Sequence, residues 1–241
     1  EVALAAMELR NGEFRARKSW LVNKDEIVCV GSGVSGPGRV ETTVFNQPVP
    51  PGALLLIDGQ VASAHSFEET LPVRWAWLQG VGYVFPGGVE LRISRTSRTS
   101  DWSSVRNPKR YGVSPAVTQE YLTGVIVHTP AHRSYQYVML ANVPATAMPD
   151  HSLEVAGRYA VDLVGPHRIR VAGEPIEAVV FWEPDRVDRV EADRACLIVR
   201  HTGTWQVVEP TRDERPLHVK LGGRAHGVSP TQGRPVAVRA G

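Results

Sequence analysis

The sequence predicts an all-β chain built as sandwiches. Three observations lead there. Short runs rich in Val, Ile, Thr, Tyr and Trp recur along the chain, bounded by Gly, Pro, Asn and Asp. No long stretch keeps apolar residues at i, i+3, i+4 and i+7, the period of an amphipathic helix. The 22 glycines and 18 prolines in 241 residues interrupt the chain too often for helices of ordinary length.

In chain order, the run EIVCV predicts a strand at 26–30, and the alternating RVETTVF a second at 39–45. ALLLI at 53–57 reads as a buried strand. Two further strands are expected at 81–85 and 89–94, on either side of Pro86-Gly87-Gly88. The β-branched and aromatic stretches at 121–128 and 135–140 complete the first half. After Ala141-Asn142 the segment VPATAMPDHSLEVAG is rich in small residues and Pro and has weak periodicity, which marks a boundary. Residues 1–150 are therefore expected to form one β unit and 155–241 a smaller β-sandwich. The second unit has shorter, more polar strands, at 178–181, 195–200, 205–208, 217–221 and 235–239, separated by charged turns such as EPDRVDRVEADR.

Composition bounds the function. An apolar fraction of 42% supports a packed core, and a net charge of +2 gives no nucleic-acid footprint. The cations are mostly Arg, whose forked guanidinium suits carboxylates, although a high-GC genome produces the same bias and is the preferred explanation. Cys29 and Cys196 both lie in apolar runs and read as buried thiols, with a bridge between them as the alternative. No apolar run approaches the ~20 residues of a membrane helix. The chain opens at Glu1 inside a strand-like pattern, so it is expected to be a fragment or processed product.

Several motifs tempt a chemical reading. Gly31, Gly33 and Gly36 have the G-x-G-x-x-G spacing of a dinucleotide fold, which needs a helix start to receive the pyrophosphate. Pro37-Gly38 and an alternating strand follow instead, so the expectation is a glycine loop between strands and no cofactor. His128 and His132 are four apart, but Thr129-Pro130 between them points to turn chemistry rather than a metal site. Trp75, Trp77, Tyr83 and Phe85 could form a sugar-stacking platform; core packing is the preferred reading. The basic stretch at 95–107 could face an anionic glycan through Arg95, Arg98 and Trp102, or serve as a long loop anchored by its Trp.

Taken together, the wording of the sequence resembles polysaccharide lyase family 8, the hyaluronate, chondroitin AC and xanthan lyases. Arg17-Lys18-Ser19-Trp20 and then Asp25-Glu26-Ile27-Val28-Cys29-Val30-Gly31-Ser32-Gly33 are similar to that family's KSW and DEIV-G-G segments. Val40-Glu41-Thr42-Thr43-Val44 follows, and the segment from Trp75 to Pro86, WAWLQGVGYVFP, resembles WAxHxGVGYxFP. The stretch RTSDWSSVRN at 98–107 resembles RTGSWSDIN, and SYQYVMLAN at 134–142 resembles ASYAYVLLPN. Glu209-Pro210-Thr211 is similar to a motif of the family's small C-terminal domain. Departures mark a divergent member: Phe45-Asn46-Gln47-Pro48 replaces a polar, basic stretch, and Val127-His128-Thr129 stands for DHG.

The resemblance implies an architecture: an N-terminal α/α toroid, a central galactose-mutarotase-like β supersandwich and a small C-terminal β-sandwich. This chain would begin partway into the supersandwich. The family's catalytic Asn, His, Tyr and Arg lie on the toroid, so no catalytic residue is carried over to this chain. The implied function is a secreted, extracellular lyase acting on an anionic polysaccharide by β-elimination, without metal or organic cofactor. The implied partners are that substrate and the chain's own toroid, with neither nucleic acid nor membrane. The alternative is a stand-alone, non-catalytic carbohydrate-binding sandwich.

Overall fold

The structure is a computed structural model that describes residues 2–62, 65–101, 115–210, 215–229 and 233–239. The fold is almost entirely antiparallel β. The first ten strands are β1 (Val2–Asn11), β2 (Phe14–Asn23), β3 (Glu26–Ser35), β4 (Val40–Val49), β5 (Leu55–Ile57), β6 (Gln60–Val61), β7 (Phe67–Leu78), β8 (Val81–Ser100), β9 (Val117–His128) and β10 (Tyr135–Leu140). They form one ten-stranded sheet, in the order β1-β2-β3-β10-β8-β7-β5-β6, with β9 on β8 and β4 on β9.

One long strand makes this sheet a sandwich. The start of β8 pairs with β10 through Gly82–Val84, and its later half pairs with β9 from Leu91 to Ser100. Between the halves, Gly88 adopts φ +70°, and the β7–β8 register shifts between Val73 and Trp75. A positive φ costs glycine little, and the extra residue sharpens the bend. The sheet thus folds over on itself, and β4 and β9 cover one face of β3, β10 and early β8. Val44, Phe45, Leu91, Ile93, Leu122, Tyr83, Phe85 and Tyr137 fill the space between. The two strands expected at 81–85 and 89–94 are parts of this single strand.

The glycine motif also finds its reason. Gly31 to Ser35 continue β3 rather than forming a loop, and only residues 36–39 turn. A Cβ on Gly31 would lie 2.2 Å from the Tyr135 ring, so glycine is needed for close approach. Gly33, at φ +61°, sits in a bulge where Arg15 pairs with Ser35 but Arg17 with Ser32.

The boundary segment departs from the sequence expectation. It folds as an 11-residue helix, α1 (Met148–Arg158), preceded by a 3-10 turn at Ala145–Ala147. Pro149 sits in the first helical turn, where its missing N–H has no partner to lose. Met148, Ser152 and Val155 face inward, and Tyr159 follows on the same side. The polar Ser152 in this stripe weakens the periodic signal; its hydroxyl donates to the Pro149 carbonyl at 2.8 Å.

The remaining strands are β11 (Tyr159–Asp162), β12 (His167–Val171), β13 (Glu177–Phe181), β14 (Asp185–Val187), β15 (Val190–Ala192), β16 (Cys196–His201), β17 (Thr204–Val208), β18 (Leu217–Leu221), β19 (Arg224–Val228) and β20 (Val236–Arg239). A six-stranded sheet, β11-β12-β13-β16-β17-β20, faces a four-stranded one, β14-β15-β18-β19. Between them lie Val179, Phe181, Ile198, Trp205, Val207, Leu217 and Val219. The other face of the six-stranded sheet packs with α1 on the first sheet, through Leu21, Val28, Val138, Met148, Val155, Ile169 and Ala178. All of β13 is buried, as a strand between two apolar layers must be.

Polar contacts reinforce this seam. Arg158 and Tyr159 both bond Glu26, Lys24 pairs with Glu174, and Arg17 with Glu183. Cys29 and Cys196 are buried free thiols, pushed up to about 11 and about 12 by burial first. Among the described residues, no helix is long and apolar enough to cross a membrane.

Candidate carbohydrate-binding site

A cleft of about 600 Å³ opens on the outer surface of β4, β8 and β9, lined by Asn46, Arg98, Ser100, Asp101, Gln119 and Tyr121 among others. Strand geometry brings these groups together. In the ladder Arg98 lies opposite Gln119, Thr96 opposite Tyr121, and Asn46 opposite Thr123. Even-numbered residues of late β8 point away from the core formed by Leu91 and Ile93.

The Arg98 guanidinium is held in place on the cleft wall. Nη1 donates to Asn46 Oδ1 at 3.1 Å, and Nη2 to Thr123 Oγ1 at 2.9 Å. Its carbon lies 4.4 Å from the centroid of the Tyr121 ring. Thr123 in turn donates to Asn46 Oδ1 at 3.1 Å, and Gln119 Nε2 to the Val49 carbonyl at 2.7 Å. The two oxygens and the ring that hold Arg98 are neutral. A planar, fixed guanidinium on an aromatic face suits a carboxylate beside a sugar ring.

The other sequence-selected residues do not share this place. Arg95 is a correction: it is 1% exposed and cannot meet a polysaccharide. It falls on the inward register of β8 with Leu91 and Ile93, where Nη2 donates to the Ala53 carbonyl at 2.6 Å. Its Nη1 pairs with Glu120 at 3.3 Å. Trp102 lies outside the described residues. Asn46, Gln119 and Tyr121 also line this cleft and were not among the sequence candidates. Their signal is register: each lies on the outward face beside Arg98, which only strand pairing reveals.

The remaining tempting groups are structural. Trp75, Tyr83 and Phe85 are core residues, and Trp77 Nε1 donates to the Val143 carbonyl at 2.7 Å. His128 Nε2 meets Thr42 Oγ1 at 2.7 Å, and its Nδ1 the His132 carbonyl at 3.1 Å, across a tight turn. Burial pushes the Tyr83 hydroxyl up to about 12, and raises Tyr135 and Tyr137 as well. No group of three or more His, Cys, Asp or Glu among the described residues could hold a metal.

Fold and cleft together define an antiparallel super-sandwich with a second β-sandwich packed on it. The super-sandwich domain of polysaccharide lyase family 8 matches residues 1–152, and the chain belongs to that family. It is 30% identical over 195 residues to a xanthan lyase of Bacillus sp. (strain GL1), covering 74% of this chain and 21% of the relative. It is 26% identical over 223 residues to a hyaluronate lyase of Thermasporomyces composti, covering 86% of this chain and 28% of that one. The solved structure of a Paenibacillus xanthan lyase has a similar fold, with a TM-score of 0.82 at 24% identity over 91% of this chain and 23% of its own. The chain thus spans well under a third of the length of these relatives.

Proposed function

We propose that these residues are the β region of a secreted lyase that cleaves a uronate-containing polysaccharide, such as hyaluronan, chondroitin or xanthan, by β-elimination. Residues 1–150 act as the supersandwich and 155–241 as the small sandwich that braces it. A toroid domain supplies the catalytic side chains. The observation that carries this reading is the family match over residues 1–152. The Arg98 cleft supports it, because its guanidinium has neutral partners and can take a sugar carboxylate.

The chemistry divides the labour. The C5 proton beside the carboxylate is weakly acidic, so the carboxylate charge must be offset while a base takes that proton, the C4–C5 double bond forms, the C4–O bond breaks and an acid protonates the departing oxygen. Arg98 contributes binding and orientation of the chain rather than proton transfer. The scheme calls for neither metal nor organic cofactor.

The test joins the chain to the coding segment upstream of Glu1 and measures ultraviolet absorbance of the unsaturated uronate product. Product is expected from at least one of the three polymers. The substitution Arg98→Gln should raise KM about tenfold, the loss of one charge-assisted contact, and leave kcat within about twofold. No product from any uronate polymer overturns the reading.

A further inference from the structure

A second cleft, of about 500 Å³, shares no lining residue with the Arg98 cleft. It sits where β1, β2 and β3 meet the β11–β12 turn, and Arg10, Arg15, Arg17, Glu8 and Ser32 line it. Its charge arrangement is unusual for a plain sheet surface. Arg10 and Arg15 are direct partners in the β1–β2 ladder, and like charges placed opposite each other destabilise a sheet. Glu8 relieves part of this, bonding Arg10 at 2.8 Å and Arg17 at 3.3 Å. Arg17 also pairs with Glu183 at 3.3 Å and lies 5.8 Å from the Trp182 ring centroid. Arg15 is held differently: its Nη1 donates to the carbonyls of Gly12 and Phe14, which fix the side chain without cancelling its charge.

The floor adds a directed neutral donor. His167 is 1% exposed; its Nδ1 meets Ser19 Oγ at 2.9 Å and its Nε2 meets Ser32 Oγ at 2.6 Å. Burial, then Arg17, push its titration down to about 4, so the ring is neutral at neutral pH. A neutral imidazole has one donor and one acceptor nitrogen. Ser19 is 0% exposed, and a buried hydroxyl proton left without an acceptor is costly. Ser19 therefore donates to Nδ1, and Nε2–H donates to Ser32. The Ser32 hydroxyl proton is then free to point into the cleft.

We propose that this cleft is a second binding site for the polysaccharide, taking one uronate carboxylate between the Arg15 guanidinium and the Ser32 hydroxyl. The site rests on the polysaccharide reading above and would hold the polymer away from the reacting bond. Anion binding there offsets the facing Arg10 and Arg15 charges, which is why the site selects a carboxylate over a neutral sugar.

Calorimetric titration of the 241-residue chain carrying Arg98→Gln isolates this cleft from the first. The probes are tetrasaccharides of hyaluronan and chondroitin and the pentasaccharide repeat of xanthan, each with its carboxyl-reduced counterpart. At least one acidic probe should bind at one site per chain, and its reduced form at least about tenfold more weakly. Adding Arg15→Gln should raise Kd about tenfold without lowering the melting temperature, because it also removes the repulsion from the facing Arg10. Ser32→Ala should weaken binding several-fold. Equal binding with and without Arg15, equal binding of the reduced probe, or no binding of any acidic probe overturns the site. The lyase reading fails separately, if the joined protein forms no unsaturated product.

Discussion

At the scale of single residues, glycine and histidine carry the sharpest expectations. A Cβ at Gly31 would lie 2.2 Å from the Tyr135 ring, and one at Gly124 2.5 Å from the Phe45 ring. Both approaches are to rigid rings inside the core, so Gly31→Ala and Gly124→Ala should each lose about 1–3 kcal/mol in urea denaturation. His167 gives a pH signature. In the fold burial lowers its titration to about 4, below the ordinary 6.5 that the unfolded chain retains. The unfolded state therefore binds the extra proton first as pH falls. The stability from neutral His167 is complete above about 6.5, declines below it and is gone at about 4, an effect of about 3 kcal/mol. Urea midpoints at neutral pH and at pH near 4.5 should show this loss, and His167→Gln should remove most of it. If the slope survives in the variant, another group causes it. Residue type alone selected Arg95 and Arg98 together. Parity separates them: Leu91 and Ile93 face inward, so Arg95 does too, while Arg98 falls on the opposite face. The sequence held that information, but its use needs the strand to run unbroken to Ser100.

At the scale of elements, legibility followed the strength of each pattern. EIVCV, YQYVML and LHVKL read correctly because their apolar residues match the buried faces or layers they occupy. The opening strand-like pattern is the strand Val2–Asn11, but its bounds were not legible, since VALAAMELRN consists largely of good helix formers. In Phe14–Asn23 the buried register carries Ser19 and Asn23, which face His167 and Tyr159 across the seam; polar residues there hid the alternation. Helix α1 was missed for the matching reason, a short apolar stripe broken by Ser152 and opened by Pro149. Its importance is testable. Met148 is 0% exposed and packs where a Cβ on Gly82 would stand, so Met148→Ala should cost about 2–5 kcal/mol. Leu153 on the same helix is 75% exposed, and Leu153→Ala should stay within about 0.5 kcal/mol. Equal losses at both positions would contradict the packing described for α1.

At the scale of the whole molecule, four β layers share cores in succession, and the two middle ones are covered on both sides. Such a stack presents rigid outer surfaces, and the Arg98 and Arg15 clefts both lie on strands rather than on long loops. Two histidines, His128 and His167, and the tyrosines Tyr83, Tyr135, Tyr137 and Tyr159 are inside, where they pack or bridge strands, while the other described histidines lie exposed or half-buried. In the function proposed above, this chain binds and braces, and the proposed toroid domain carries proton transfer. Ultraviolet assay of the 241-residue chain alone, beside the same chain joined to its upstream segment, tests that assignment most directly. With hyaluronan, chondroitin and xanthan as substrates, unsaturated uronate should form only with the joined protein. Release of that product by the isolated chain would place the catalytic groups among these residues and contradict the account.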